Sequence, residues 1–198
     1  TALLVGVPAG LGLMLLAEPL TATIYNYGKF TDHDTRMSAI SLTVMAVGIP
    51  GFMLSKVLAP AFYARQDTRT PMRFAMVSVG VNIVLALSLF PFIHERGIAT
   101  AEVCAGWVNA AMLFFTLVRR GHWDRDAGLL RRLPRLVFAA AAMGVALHFG
   151  AQFLAPWLQP DSSLLQQVSA LSALVAGGGL LYLALAFVAW LPGDRPLS

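Results

Sequence analysis

Apolar residues fall into six long runs along this chain, and short polar segments separate the runs. The runs cover residues 3–17 with a weaker continuation to 27, then 37–59, 74–93, 98–118, 136–157 and 164–191. A helix needs roughly 20 mostly apolar residues to cross the hydrocarbon core of a bilayer. The pattern therefore predicts an all-α fold class, a polytopic membrane protein with about six transmembrane helices.

Prolines interrupt two of the predicted helices. Pro19 follows the first apolar run, and Pro50 with Gly51 lies inside the second. Proline lacks the N–H that an interior helical hydrogen bond requires. We expect the first span to bend and end in an interfacial turn near Pro19, and the second span to kink or unwind at Pro50.

The composition indicates that lipid, and not water, surrounds these helices. Of the 198 residues, 58% are apolar and 12% are charged, whereas a soluble domain carries about 25% charged residues. The single cysteine, Cys104, allows no intrachain disulfide. No signal-peptide pattern is visible, and Thr1 already lies at the edge of an apolar run. We therefore expect an N-terminal portion of a longer protein to precede Thr1.

Positive charge is distributed unequally between the two sides that six spans define. Three of the 14 basic residues lie on one side, namely Lys29, Arg36 and Arg96. The others lie on the opposite side: Lys56, Arg65, Arg69, Arg73, Arg119, Arg120, Arg125, Arg131, Arg132, Arg135 and Arg195. Cytoplasmic loops carry the Lys/Arg excess, so the loops 63–73 and 119–135 and the C-terminus are predicted to be cytoplasmic. Anionic membrane lipids suffice as partners for this charge, and no nucleic acid is needed.

The chain divides into three parts in this interpretation. Residues 1–120 form four transmembrane helices, and residues 136–198 form a further helix pair with a short cytoplasmic tail. Between them, residues 121–135 form a basic cytoplasmic loop in which leucines alternate with arginines, a pattern typical of a short amphipathic helix at the interface. In the last pair, Ala140 with Gly144 and Ala173 with Gly177 are spaced for close helix packing.

One segment resembles a known family. Residues 56–71, Lys-Val-Leu-Ala-Pro-Ala-Phe-Tyr-Ala-Arg-Gln-Asp-Thr-Arg-Thr-Pro, are similar to the second-lobe signature of the MurJ (MviN) lipid II flippases. Weaker similarities occur at 27–31, 97–99 and 107–110, and the order of spans is kept over most of residues 1–120. After Arg120 only hydropathy and the number of spans agree.

The resemblance implies a multidrug/oligosaccharidyl-lipid/polysaccharide exporter-type fold, of which this chain would be the C-terminal portion, with four second-lobe helices and the two extra C-terminal helices. Family members flip the undecaprenyl-linked peptidoglycan precursor, lipid II, across the bacterial cytoplasmic (inner) membrane by alternating access, as part of cell wall biogenesis. The undecaprenyl-linked substrate, membrane lipids and the N-terminal lobe of the same protein would be the partners. The alternatives are a related drug or polysaccharide-lipid exporter and a non-transporting membrane scaffold module.

The resemblance also suggests a cation site. Some family members bind a cation at positions that match Asn82, Ala86, Ile98 and Glu102. Ala86 has no ligating atom, and Glu102 would supply the missing oxygen. A charged side chain within a span costs about 2.5 kcal/mol or more, so it is a functional candidate by default. The alternative is that Glu102 lies near the membrane interface and hydrogen-bonds to water or to Arg96.

Four basic residues are candidates for a substrate headgroup or gate role: Lys56, Arg65, Arg69 and Arg73. Guanidinium groups bind phosphate in a bidentate manner, but these arginines would equally serve as positive-inside anchors, and Lys56 would extend toward the headgroups. No catalytic spacing of nucleophile and base occurs, and no metal-ligand set emerges. We therefore expect no enzyme and no cofactor, apart from sodium or a proton as a candidate coupling ion.

Overall fold

The computed structural model describes residues 2–25, 32–121, 127–157 and 163–190. These residues form α-helices, joined by turns and one short 3-10 helix. The helices are α1 (Ala2–Leu15), α2 (Ala17–Tyr25), α3 (Asp32–Tyr63), α4 (Arg69–Ile93), α5 (Glu95–Arg119), α6 (Ala127–Phe153) and α7 (Leu164–Trp190). The chain forms two compact units, Thr1–Asp124 and Arg125–Ser198.

The described residues contain five candidate membrane-spanning helices, or six if a bent helix pair is counted as one span, against the six predicted. Five helices in the described ranges, α3 to α7, are long and apolar enough to cross a membrane. The pair α1 and α2 passes the same test together, and its bend of 65° makes it either a broken span or a re-entrant loop. The prediction of a polytopic all-α membrane protein is confirmed.

The bend in the first span lies at Leu16, slightly before the position that the sequence indicated. Pro19 has no N–H to donate to the carbonyl of Leu15, so the helical ladder is interrupted there. Thr21 Oγ donates to the Ala17 carbonyl (2.7 Å) in the first turn after the break. Leu16 and Ala17 are buried, which shows that the break packs against the rest of its unit.

In contrast, α3 is continuous through Pro50, so of the expected kink or unwound turn, the unwound turn does not form. Gly51 lies against the indole ring of Trp107, and a Cβ there would meet the ring at 3.0 Å. Trp107 Nε1 donates to the Val47 carbonyl (3.1 Å), one turn before Gly51. This contact from α5 holds α3 together next to the proline.

The first unit packs around α3, α4 and α5. Its core cluster joins α3 to α5 through Leu58, Phe62, Leu113 and Leu117. The helices α4 and α5 are joined by a tight turn at His94, which has a positive φ of 49°. These short connections make α4 antiparallel to both α3 and α5.

In the second unit, leucines of one helix lie over glycines of the other. A Cβ on Gly150 would meet Leu174, and a Cβ on Gly178 would meet Leu147. Ala140 and Gly144 are buried as predicted, but Ala173 and Gly177 are exposed. The predicted close-packing pair on α7 is therefore wrong, and the α7 residues at this contact are Leu174 and Gly178.

The predicted separate interfacial helix also differs from the structure. Helix α6 begins at Ala127 and runs without interruption to Phe153, with Pro134 inside it. Residues 127–135 are thus continuous with the fifth span. Pro134 is the eighth residue of this helix, so its missing N–H removes one interior hydrogen bond of the helix without ending it.

Candidate functional site

A cavity of about 640 Å³ lies within the first unit, between three helices. Its lining residues are Phe52, Ser55 and Lys56 of α3, Ser78, Val79 and Asn82 of α4, and Glu102, Ala105, Gly106 and Asn109 of α5. The cavity combines two charged groups with hydroxyl and amide groups, within helices that are apolar enough to cross a membrane. It is therefore a candidate site for a polar ligand or an ion.

Helical periodicity explains why these residues share one cavity. Residues three, four and seven apart lie on the same face of an α-helix. Ser78 and Asn82 are four apart on α4, and Glu102 and Asn109 are seven apart on α5. Each helix therefore presents a polar stripe, and the three stripes face one space.

Two oxygen atoms at this cavity are buried without a partner. They are Ser55 Oγ and Asn109 Oδ1, and both lack a hydrogen bond. Ser78 differs, since its Oγ donates to the Ala105 carbonyl (2.7 Å) and fastens α4 to α5. A buried polar group without a partner costs about 1–3 kcal/mol, so these two oxygens are suited to receiving a ligand or a mobile donor.

Lys56 and Glu102 bring opposite charges to the same cavity. Both side chains are exposed, and among the described residues the one ion pair within 4.0 Å joins Arg120 to Asp67. Arg96, which the sequence offered as a partner for Glu102, donates instead to Met37 Sδ (2.8 Å). The two charges of the cavity are thus available for other interactions.

An aromatic ring closes the apolar side of the cavity. Phe52 lies between Gly48 and Gly106, where an added Cβ would come within 2.8 Å and 2.2 Å of its ring atoms respectively. The absence of a side chain at Gly106 lets the ring lie directly on the backbone of α5. The position of the Phe52 ring thus depends on the absence of side chains at Gly48 and Gly106.

The structure brings together three of the six predicted site residues. Asn82, Glu102 and Lys56 line the cavity, whereas Arg65, Arg69 and Arg73 do not. The other two positions of the family's cation site, Ala86 and Ile98, do not line it either. Ser55, Ser78 and Asn109 were not predicted. The seven-residue spacing of Glu102 and Asn109 was a usable signal, but the contribution of α3 could not be read from the sequence.

Three arginines lie away from the cavity and are exposed: Arg65 in the turn between α3 and α4, and Arg69 and Arg73 in the first two turns of α4. The residues that organise this turn are Asp67 and Arg120, which the sequence did not single out. Arg120 Nη1 donates to Asp67 Oδ2 (2.6 Å), and the Thr70 hydroxyl donates to the same oxygen (2.7 Å). The Thr70 backbone N–H donates to Asp67 Oδ1 (3.0 Å).

These bonds stabilise the ionised carboxyl of Asp67. The Arg120 guanidinium, followed by the Thr70 hydroxyl and N–H, lowers the pKa of Asp67 from 3.8 to about 2. Arg120 also lies over the Phe62 ring, 5.8 Å from its centroid. The turn, the start of α4 and the end of α5 are therefore joined at one carboxylate.

The helices and the polar cavity between them define a multi-pass membrane protein with a polar site in its first unit. A family model described as "Lipid II flippase MurJ" matches residues 1–168. The chain belongs to the lipid II flippase MurJ family.

Relatives from several bacteria are similar along most of the chain. A probable lipid II flippase MurJ of Rhizobium meliloti (strain 1021) is 46% identical over 180 residues, which is 91% of this chain and 34% of the relative. A probable lipid II flippase MurJ of Vibrio cholerae is 36% identical over 91% of this chain and 34% of its own length. A lipid II flippase MurJ of Burkholderia cenocepacia is 38% identical over 75% of this chain and 29% of its own.

A solved structure has the same fold. It is described as lipid II flippase MurJ in an inward closed conformation, with a TM-score of 0.71 and 20% sequence identity. The match covers 95% of this chain and 36% of that one. The chain thus spans about a third of the length of the proteins it matches.

Proposed function

We propose that this chain is the C-terminal part of a transporter that flips the undecaprenyl-linked peptidoglycan precursor, lipid II, across the bacterial inner membrane. The observation that carries the proposal is the 46% identity to a probable lipid II flippase over 91% of the chain. The alternating-access mechanism requires a second lobe, and the chain covers about a third of the length of its relatives. The N-terminal lobe of the same protein is therefore the necessary partner.

We further propose the orientation in the membrane. The basic residues at the turn between α3 and α4, together with Arg119 and Arg120 at the end of α5, lie at the same end of the first unit. Because Lys/Arg excess marks the cytoplasmic side, this end and the C-terminus face the cytoplasm. Arg65, Arg69 and Arg73 are exposed there, which suits contacts with anionic headgroups, of either the bilayer or the substrate.

The cavity is proposed as the site of a coupling cation. Asn82 and Glu102 provide an amide oxygen and a carboxylate to the cavity. Hard cations take oxygen ligands of these kinds. A protonated Glu102 would be the equivalent state for proton coupling.

Replacement of Glu102 by Gln in the full-length protein tests this role. Gln keeps the size and removes the charge, so we expect reduced appearance of lipid II on the outer leaflet in cells depleted of the wild-type protein. Glu95→Gln, which changes a carboxylate in the first turn of the same helix and outside the cavity, is the matched control. Full outer-leaflet accessibility with Glu102→Gln would remove Glu102 from the mechanism, and normal accessibility after depletion alone would reject the flippase.

A further inference from the structure

The cavity in the first unit holds a charge that does not suit a cation site. Lys56 lines the same space as Asn82 and Glu102, and an ammonium repels the cation that those oxygens would bind. The proposed coupling site leaves this lysine without a role. Snorkelling of Lys56 to the headgroups would explain its presence, but it predicts no effect of Lys56 on the cavity.

The register of α3 and α5 shows where the two charges lie. Gly48 packs against Val103, and Gly51 packs against Trp107, so the two helices run in the same direction. In this register Lys56 lies about nine residues further along than Glu102, which is about 14 Å of helix rise. Helical side chains lean toward the N-terminus of their helix. Lys56 therefore leans back toward the level of Glu102.

Two acceptors for an ammonium group lie at the Lys56 end of the cavity, since Ser55 is its neighbour on α3 and Asn109 lies two turns beyond Glu102 on α5. Ser55 Oγ and Asn109 Oδ1 are buried without hydrogen bonds, and a lysine ammonium has three N–H donors. Neither Lys56 nor Glu102 is engaged in an ion pair within the described part of the chain. The lysine thus has acceptors to move to, and no competing contact holds it elsewhere.

We propose that Lys56 is a tethered competitor for the cavity: its ammonium occupies the polar space when the inorganic cation is absent and withdraws when the cation binds at Asn82 and Glu102. The inference rests on the proposed cation site and assigns the residue that sets its affinity. The exchange keeps the cavity close to neutral in both states. This matters because an uncompensated charge inside a membrane span is costly.

Coulomb's law gives the size of the expected effect. For two unit charges on the order of 10 Å apart and an effective dielectric constant of about 20, the repulsion corresponds to roughly a tenfold change in a binding constant. Lys56→Met removes the charge and keeps an unbranched apolar chain. It should lower the half-saturating cation concentration by that factor, whereas Lys56→Arg should leave it within about threefold of the wild-type value.

The experiment measures the melting temperature of the full-length protein in detergent against increasing NaCl, with choline chloride keeping the ionic strength constant. Arg36→Met is the matched control, because it removes a positive charge from an exposed position on the same helix, outside the cavity. We expect the half-saturating NaCl concentration to fall roughly tenfold in Lys56→Met and to stay unchanged in Arg36→Met. Lys56→Gln replaces Lys56→Met if the latter does not fold.

The outcomes separate the two proposals. A sodium response with the same midpoint in wild type and Lys56→Met would overturn the role of Lys56 and leave the cation site intact. A response in Lys56→Met but not in wild type would support both, since the lysine then suppresses binding. No response in either protein, or an unchanged response in Glu102→Gln, would overturn the cation site itself and with it the competition.

Discussion

Outside the cavity, the side chain of Asp67 joins separate segments of the first unit by hydrogen bonds. Its carboxylate accepts hydrogen bonds from Arg120 and from the hydroxyl and N–H of Thr70. One partner lies at the start of α4 and the other follows α5. Gln66, the residue before Asp67, has a positive φ of 58°, which marks a turn that side-chain bonds must hold in place.

Asp67→Asn should lower the melting temperature of the full-length protein and flatten its dependence on pH. Because the folded state lowers the pKa of Asp67 from 3.8 to about 2, the stabilisation is complete above the unfolded pKa. The stabilisation that the carboxylate provides is lost as the pH falls from the unfolded pKa of 3.8 to the folded pKa of about 2. The wild-type melting temperature should therefore fall more steeply with acid than that of the variant.

The measurement is a series of thermal melts in detergent from neutral pH downward. Arg69→Gln is the control, since Arg69 is exposed in the same turn and is not bonded to Asp67. Equal acid slopes in wild type and Asp67→Asn would show that the carboxylate does not stabilise the fold.

At the scale of helices, glycine contacts decide where α3 and α5 meet. Phe52 fits between Gly48 and Gly106, and its ring closes one side of the cavity. Small residues allow transmembrane helices to approach closely, and association without a hydrophobic driving force depends on such packing. The same device recurs in the second unit, where Leu147 lies over Gly178.

Gly106→Ala should destabilise the full-length protein by about 1–3 kcal/mol, as overpacking of a close contact does. The new Cβ would lie 2.2 Å from Phe52 Cε1, so the ring must move into the cavity or the helices must separate. Gly80→Ala is the matched control on α4, because nothing lies within 4 Å of an added Cβ there. Thermal melts in detergent compare the two variants. An equal melting temperature would show that Phe52 does not pack closely against Gly106.

At the scale of the whole molecule, the charge asymmetry predicts the orientation. In a full-length protein with every native cysteine, including Cys104, replaced by Ser, a single cysteine at position 69 should be labelled by a membrane-impermeant maleimide only after the inner membrane is opened. A single cysteine at Glu95, in the first turn of α5, should be labelled from the periplasmic side. Labelling of position 69 in intact spheroplasts would reverse the topology.

Much of the fold could be predicted from the sequence because its determinants are local. Helix α4 begins five residues before the predicted span, at Arg69, and ends at Ile93 as expected. Polar ends of this kind lie at the interface and carry no hydropathy signal. The continuity of α6 from Ala127 was missed for the same reason.

The candidate site could be predicted only in part. Asn82 and Glu102 were suggested by family resemblance, and the structure places both on one cavity with Lys56. Their role in cation binding stays a prediction. Ser55 and Asn109 became visible only in the structure, because the absence of a hydrogen-bond partner is a property of the folded surroundings.

The sequence by itself determined the number of spans, their approximate limits and the side that carries the positive charge. Hydropathy and helical hydrogen bonding act within a segment, so a span can be predicted from its own sequence without knowing which helices it contacts. Only the tertiary structure decided that stripes from three helices enclose one polar space, and that Asp67 bonds to Arg120 across 53 residues. Those pairings depend on the register between helices, which contacts such as Phe52 on Gly106 fix and no single segment encodes.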